Sequence, residues 1–178
     1  MTDRLVSDLR AHRPAALEEL LATHGRQIQG VAYLILHSWA DAEEVLIDTM
    51  MAAWEQSRQL RDPGALRPWL LRIAARKALS RGRRSRAADP LPLHAIILSD
   101  PTNRVSERLA VSQAVRELPP RMRAAVALRY YGDLTVDEVA KALGRSPNTV
   151  KSELRVALIK LRGTLGGDTD RLRSSHAP

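Results

Sequence analysis

The chain of 178 residues is long enough for one domain or two small ones. It has no cysteine, which excludes disulfides and thiolate metal sites, and it has no run of about 18 apolar residues that would indicate a membrane span. Aromatic residues make up only 3%, so leucine, alanine and valine must fill the core, which suits helices. The first ten residues lack the apolar stretch of a signal peptide. We therefore expect an all-α, cytoplasmic protein.

The net charge of +8 is unevenly distributed along the chain. Residues 1–64 carry six basic and ten acidic residues, whereas residues 65–88 carry eight basic and no acidic ones. After a segment of net charge −2, residues 104–178 carry 14 basic and eight acidic ones. Two basic blocks predict two contacts with nucleic acid, and the acidic block predicts a third surface for a different partner.

The first part of the chain predicts helices over Ala15 to Trp39, with Gly25 as a break or a weak point. Asp41 is predicted to cap the next helix, with Glu44 completing a capping box. Acids near a helix N-terminus are often only dipole partners on a solvated face, but Asp48 lies past the first turn. A protein partner with a basic surface therefore remains an open alternative. The histidines are scattered and predict no metal site.

A basic helix is predicted over Ala65 to Arg84, after a loop over Ser57 to Gly64. Leu66, Trp69 and Leu70 supply its apolar side. The remaining positions hold cations without one acid in the stretch: Arg67, Arg72, Arg76, Lys77, Arg81, Arg83, Arg84 and Arg86. Because such cations repel one another, the pattern predicts a polyanion partner whose binding weakens steeply with salt.

Residues 87–103 contain three prolines and predict a linker. The apolar stretch 94–98 within it is expected to lie against a domain or a partner. Helices are predicted over Arg104 to Leu118 and Arg121 to Tyr131, and the tail after Gly166 is predicted to be disordered.

Leu134 to Leu161 predicts a helix-turn-helix. Thr135 and Glu138 form a capping box for the first helix, and Gly144 can take the left-handed conformation that ends it. Ser146 then caps a second helix. That helix has an apolar stripe at Val150, Leu154, Leu158 and Leu161.

Polar and cationic residues lie off this stripe near the start of the second helix, namely Asn148, Thr149, Lys151, Ser152 and Arg155. Base edges and phosphates meet these turns when a recognition helix enters the major groove. An ordinary helical hairpin is the alternative, but the tight spacing of Ala140, Gly144 and Val150 favours DNA binding.

At this point the chain resembles a known family. Glu117 to Arg162 resembles region 4 of the sigma-70-type factors of bacterial RNA polymerase, and Asp41 to Gln56 resembles the region 2 helix that docks on the polymerase clamp. Ala65 to Arg86 resembles the family's promoter −10 element helix. The absence of a middle domain matches the small extracytoplasmic-function (ECF) group. The resemblance implies region 2 over residues 1–88, a flexible linker over 89–104 and region 4 over 105–178.

The resemblance also implies the site residues. Polymerase contacts would come from Asp41, Glu43, Glu44 and Asp48. Contacts with the −10 element would come from Arg58, Arg61, Arg67, Trp69, Arg72, Arg76 and Lys77. Contacts with the −35 element would come from Arg121, Arg123, Arg145, Asn148, Thr149, Lys151, Ser152 and Arg155. The implied partners are promoter DNA, the clamp helices of the largest catalytic subunit, the flap of the second largest subunit and an anti-sigma factor, with no cofactor.

Two segments depart from the family pattern. The melting loop at 58–66 has no aromatic residue, so a flipped base would have to stack on Arg58, Arg61 or Trp69. Residues 47–50 differ from the usual glutamine-glutamate-x-phenylalanine pattern. The melting-loop departure keeps open an adaptor that binds polymerase or an anti-sigma factor without productive promoter binding. A free-standing helix-turn-helix repressor or activator, in which residues 1–88 sense a ligand or dimerise, is a second alternative. The sequence contains no glycine-rich phosphate loop and no paired acid–base constellation. We therefore expect that the protein is not an enzyme.

Overall fold

The computed structural model describes residues 2–84 and 105–174, and every regular element in these ranges is helical. The first range, which we call the N-terminal unit, contains α1 (Thr2–Arg10), α2 (Pro14–Leu36), α3 (Trp39–Gln56) and α4 (Leu66–Gly82), with 3₁₀ turns at Ser57–Gln59 and Pro63–Ala65. The second range, the C-terminal unit, contains α5 (Val105–Arg116), α6 (Pro120–Val126), a π-helical turn (Ala127–Tyr131), α7 (Val136–Leu143) and α8 (Pro147–Ser174). The all-α prediction is confirmed.

The start of α3 differs from the prediction. Ser38, not Asp41, caps this helix, because its hydroxyl accepts a hydrogen bond from the Asp41 amide at 3.2 Å. Asp41 thus lies inside the first turn, and its carboxylate pairs with Arg81 of α4 instead of capping the helix. Helix α2 runs without a break through Gly25, which is itself buried beside the Leu21 and Leu46 side chains.

The N-terminal unit packs α2, α3 and α4 around a core of aliphatic side chains. Ile28, Val31, Val45, Leu70 and Ala74 are each no more than 1% exposed. Close helix packing explains why alanines and leucines suffice without phenylalanine.

The helix-turn-helix forms as predicted. The Thr135 hydroxyl accepts from the Glu138 amide at 3.2 Å, and the Glu138 carboxylate accepts from the Thr135 amide at 2.7 Å. Gly144 adopts φ +64, a conformation that glycine takes without steric cost. The Ser146 hydroxyl accepts from the Thr149 amide at 3.1 Å and caps α8.

The two units lie against each other, an arrangement that the linker prediction did not anticipate. Arg76 on α4 donates to the Ala142 carbonyl on α7 at 3.2 Å, and Gln27 on α2 donates to the Gly132 carbonyl at 3.4 Å. Gly30 on α2 lies under the Tyr131 ring, so closely that an added Cβ would overlap it. We call this set of contacts the interdomain interface.

The ends of the C-terminal unit also differ in part from expectation. Helix α8 continues to Ser174, beyond Gly166, where the disordered tail was predicted to begin. A helix propagates readily once its first turns are fixed by packing, which accounts for the extension. The predicted linker, with its apolar stretch 94–98, lies outside the described residues. Among the described helices, none is long and apolar enough to cross a membrane.

Candidate nucleic-acid and protein interfaces

The start of α8 presents a polar face to solvent. Asn148, Lys151, Ser152 and Arg155 are exposed, whereas Val150 and Leu154 are buried against the rest of the unit. The Ser146 cap and the tight turn at Gly144 fix where this face begins. Four of the five predicted base-reading residues therefore lie together on one accessible surface. Thr149 is half-buried, and its hydroxyl lies 2.8 Å from that of Ser146.

The three arginines predicted to hold phosphates differ in accessibility. Arg121 is exposed, and Arg145 pairs with Glu153 at 3.0 Å. Arg123 lies in the interdomain interface, where its Nη1 atom is 3.3 Å from His37 Nδ1 and its buried Nε atom has no hydrogen-bond partner among the described residues. Burial and the neighbouring Arg116 lower the pKa of Arg123. In this arrangement, Arg123 faces the N-terminal unit.

The basic helix α4 does have acidic partners, contrary to the prediction of unpaired cations. Arg81 pairs with Asp41 at 2.5 Å and also with Glu44, and Lys77 lies 3.8 Å from Asp48. The hydrogen bond with Asp41 raises the pKa of Arg81. Because these acids come from α3, the pairing is invisible in the local sequence of α4.

Other cations of α4 face the C-terminal unit or solvent. Arg67 donates to the Asp133 carbonyl at 3.1 Å, and Arg76 donates to α7 as described. Arg72 is half-buried, while Arg83 and Arg84 are exposed. These last three make no ion pair with any described residue, so they leave a positive surface at one side of α4.

The loop before α4 presents Arg58 and Arg61 to solvent. Arg10 donates to the Leu60 carbonyl, and the Asp62 carboxylate accepts from the Gly64 amide at 2.9 Å, so the loop is held in one shape. The position of Trp69 differs from the prediction that a flipped base could stack on it. Its indole is only 7% exposed because it forms part of the core, and it cannot serve as a stacking surface in this arrangement.

The acidic helix α3 combines charge with exposed apolar side chains. Glu43 is exposed and Asp48 is exposed beside Lys77, whereas the Asp41 carboxylate is only 16% exposed. Ile47 and Met51 are 57% and 50% exposed. Acids mixed with large apolar side chains on one helix suit a protein partner better than solvent alone. The local sequence of α3 does not distinguish these two exposed positions from the buried apolar positions of the same helix.

His37 was set aside in the sequence as an isolated histidine, but it joins the two units. It takes the left-handed conformation (φ 54) just after α2, is 3% exposed and lies 2.9 Å from the Ser112 carbonyl through Nε2. No local pattern marks this role, because Ser112 and Arg123 are distant in the chain. No group of metal-ligating side chains occurs among the described residues.

Comparison with known proteins gives two family matches. Residues 20–88 match the model of sigma-70 region 2, and residues 108–161 match that of sigma-70 region 4. The ECF RNA polymerase sigma factor SigM of Mycobacterium tuberculosis is 32% identical over 152 residues, which span 85% of this chain and 78% of SigM. The ECF RNA polymerase sigma factor SigK of Mycobacterium bovis is 27% identical over 173 residues, or 92% of each chain.

Two solved structures share the fold. CnrH in complex with the cytosolic domain of CnrY has a TM-score of 0.71 at 26% identity, over 94% of this chain and 99% of that one. The sigma factor RpoE, in complex with the anti-sigma factor NepR from Bartonella quintana, has a TM-score of 0.66 at 20% identity, over 84% and 95% of the two chains.

Proposed function

Because the chain belongs to the sigma-70 family of RNA polymerase sigma factors, in its extracytoplasmic-function group, we propose specific contacts for each of its two units. The protein directs promoter-specific initiation of transcription by core RNA polymerase. The observation that supports these separate contacts is that α8 in the C-terminal unit has an accessible polar face and α4 in the N-terminal unit is a basic helix.

The C-terminal unit reads the −35 element with the start of α8. Lys151 and Arg155 are cationic, exposed and placed to reach base edges, and Asn148 and Ser152 add donors and acceptors. Arg121 and Arg145 hold phosphates on either side. Phosphate contacts set the position of the helix on the duplex and specify little sequence.

The N-terminal unit contacts the −10 element with the loop before α4 and the basic side of that helix. Arg58 and Arg61 are the accessible groups for stacking on or pairing with an unstacked base. Arg72, together with Arg67, Arg76 and Lys77 once they are released from their present partners, neutralises the DNA backbone. Trp69 supports α4 from the core and makes no DNA contact in this proposal.

Helix α3 binds the clamp helices of the largest catalytic subunit, with Glu43 and Asp48 as charged contacts. Asp41 and Glu44 act at the edge of this surface, because both already pair with Arg81. The exposed Ile47 and Met51 would be covered by the same partner. The C-terminal unit contacts the flap of the second largest subunit.

The packed arrangement of the two units must open before both promoter elements are read. Arg76 and Arg67 of α4 are hydrogen-bonded to the C-terminal unit, and Arg123 is enclosed beside His37. Arg76 and part of Arg67 remain exposed, but these hydrogen bonds hold both side chains towards the C-terminal unit, so opening is needed to free all three arginines for DNA. An anti-sigma factor is the partner that would hold the protein inactive in the cytoplasm.

Two measurements test the proposal. Core polymerase and the full chain are first assayed for co-purification, and the complex is then assayed by run-off transcription on promoter templates. We expect a stable complex and a transcript absent with core polymerase alone. A complex without such a transcript would support the adaptor alternative, and neither a complex nor a transcript would contradict polymerase binding as well.

A further inference from the structure

While the two units are packed together, the contacts of the His37 ring suit its neutral form. The ring is buried between the end of α2, α5 and α6, beside Tyr33 at a ring-centroid distance of 5.6 Å. Nε2 faces the Ser112 carbonyl at 2.9 Å, and a carbonyl oxygen can only accept a hydrogen bond. Nε2 therefore carries the proton.

The other ring nitrogen, Nδ1, must be unprotonated. Nδ1 lies 3.3 Å from Nη1 of Arg123, and a guanidinium can only donate. A proton on Nδ1 would remove this hydrogen bond and place two donors against each other. The two contacts together thus require the neutral tautomer with hydrogen on Nε2.

The charges around the ring also disfavour its cation. Arg123 on α6 and Arg116 on α5 both face it, and no carboxylate of a described residue pairs with it. Burial first, then these two arginines, lower the pKa of His37 below its ordinary 6.5, although the hydrogen bond to Ser112 opposes them. The left-handed φ adds backbone strain that persists only while the surroundings hold the residue in place.

We propose that His37 is a proton-sensitive contact that stabilises the closed arrangement of the two units only while its imidazole is neutral. Protonation replaces an accepted hydrogen bond by repulsion from Arg123 and separates α2 from α5 and α6. Opening releases Arg123 towards solvent, which, if the proposed function holds, makes it available to a DNA phosphate.

The direction of the pH effect follows from proton linkage. In the open arrangement His37 is solvated and titrates near 6.5, whereas in the closed one its pKa is lower. Above that ordinary value the ring is neutral in both arrangements, so the closed fraction is constant. As the pH falls below it, the open arrangement takes up a proton first, and the closed fraction falls. Each unit of difference between the two pKa values changes the closed-to-open ratio about tenfold.

The test measures the radius of gyration of the full chain by small-angle X-ray scattering between pH 8 and pH 5.5, without DNA or polymerase. A closed body of this length has a radius of gyration of roughly 16 Å. We expect the value to rise as the pH falls in the natural chain, and to change little in a His37→Gln variant, which keeps a donor for Ser112 but does not titrate. No pH-dependent rise in the natural chain, or the same rise in the variant, would overturn the proposal.

Two controls assign the effect to His37. His12→Gln is matched, because His12 also has a left-handed φ (52) and contacts an aromatic ring, that of Trp54, away from the interdomain interface. His24→Gln removes a second described histidine whose pKa is lowered, by burial and then by Arg67. Both should retain the response of the natural chain, and its loss in either control but not in His37→Gln would contradict the assignment.

A second measurement does not depend on any variant. Nitrogen-15 NMR of the histidine rings of the natural chain at pH 8 should show His37 as the tautomer with hydrogen on Nε2, with an apparent pKa below 6.5. The opposite tautomer, or a pKa above that value, would refute the proposal even if His37→Gln failed to fold.

Discussion

Single side chains decide which cations of this molecule are available to DNA. Arg81 and Lys77 have acidic partners on α3, and Arg76 is bound to a carbonyl of α7. Lys151 and Arg155 on α8 are exposed, and neither pairs with an acid or binds a carbonyl of a described residue. Side chains of equal charge therefore differ in the free energy needed to leave their present partners and bind a phosphate or a base edge.

Replacing Lys151 or Arg155 by alanine should weaken binding to a −35 duplex by about 1–3 kcal/mol if the residue makes a good base contact. Sequence preference should relax at the base that is read. Lys160→Ala is the matched control, since it removes one exposed cation farther along the same helix. Fluorescence anisotropy with the full chain measures the affinity and the sequence preference of each variant. Equal losses of affinity for the Lys160 and Lys151 variants would indicate a purely non-specific charge effect.

Asp48→Arg should weaken binding to core polymerase about tenfold, because the charge is reversed on the proposed contact surface. Glu55→Arg, at the far end of α3, makes the same change of charge and should have a smaller effect. Binding of the −35 duplex should be unaffected by both. Unchanged polymerase affinity for Asp48→Arg would show that α3 is not the docking helix.

For single helices, most boundaries can be predicted from capping residues that lie close together in the sequence. The capping box at Thr135 and the glycine at 144 form as predicted because capping depends on neighbours within a few residues. The cap of α3 was misassigned because Ser38 and Asp41 are both good caps, and only the path of the chain from α2 selects the serine. The core position of Trp69 follows from its helical phase, which the sequence predicted, and the same residue was also considered as a stacking surface only because the melting loop has no aromatic residue.

One small residue lets two elements approach each other. Gly30→Ala should loosen the interdomain interface, because the new methyl group would displace the Tyr131 ring. Alanine raises helix propensity by about 1 kcal/mol, so loss of α2 is not the expected cause. The radius of gyration at pH 8 should increase.

Gly25→Ala is its matched control on the same helix. The closest atom to an added Cβ there is Cδ1 at the end of the Leu21 side chain, 2.9 Å away and able to move, while Leu46 lies at an ordinary contact distance of 3.9 Å. This variant should keep the radius of gyration of the natural chain. If Gly30→Ala behaved identically, the contact with Tyr131 would not be needed for closure.

At the scale of the whole molecule, the order of the units and their charges was predictable, but their mutual packing was not. The matches over residues 20–88 and 108–161 agree with the two blocks read from the sequence. The interdomain interface joins residues far apart in the chain, such as His37 with Ser112 and Arg76 with Ala142. Because these pairs follow no sequence period, they left no signal in a single chain.

In the closed arrangement the polar face of α8 is exposed, whereas Arg67, Arg76 and Arg81 of α4 are hydrogen-bonded or paired with other described residues. Opening would cost the hydrogen bonds and apolar contacts of the interdomain interface and would have to be offset by binding to polymerase and promoter. The affinity for promoter DNA should therefore be higher with core polymerase than for the chain alone.

The proposed function requires that this chain direct core polymerase to promoters through two different DNA contacts. Sequencing the 5′ ends of transcripts made on genomic DNA by core polymerase, with and without the protein, can detect this. We expect new start sites that share two unlike upstream boxes at a fixed separation. No new start sites, or a palindrome with half-sites about 34 Å apart as a dimeric repressor or activator would bind, would contradict the account.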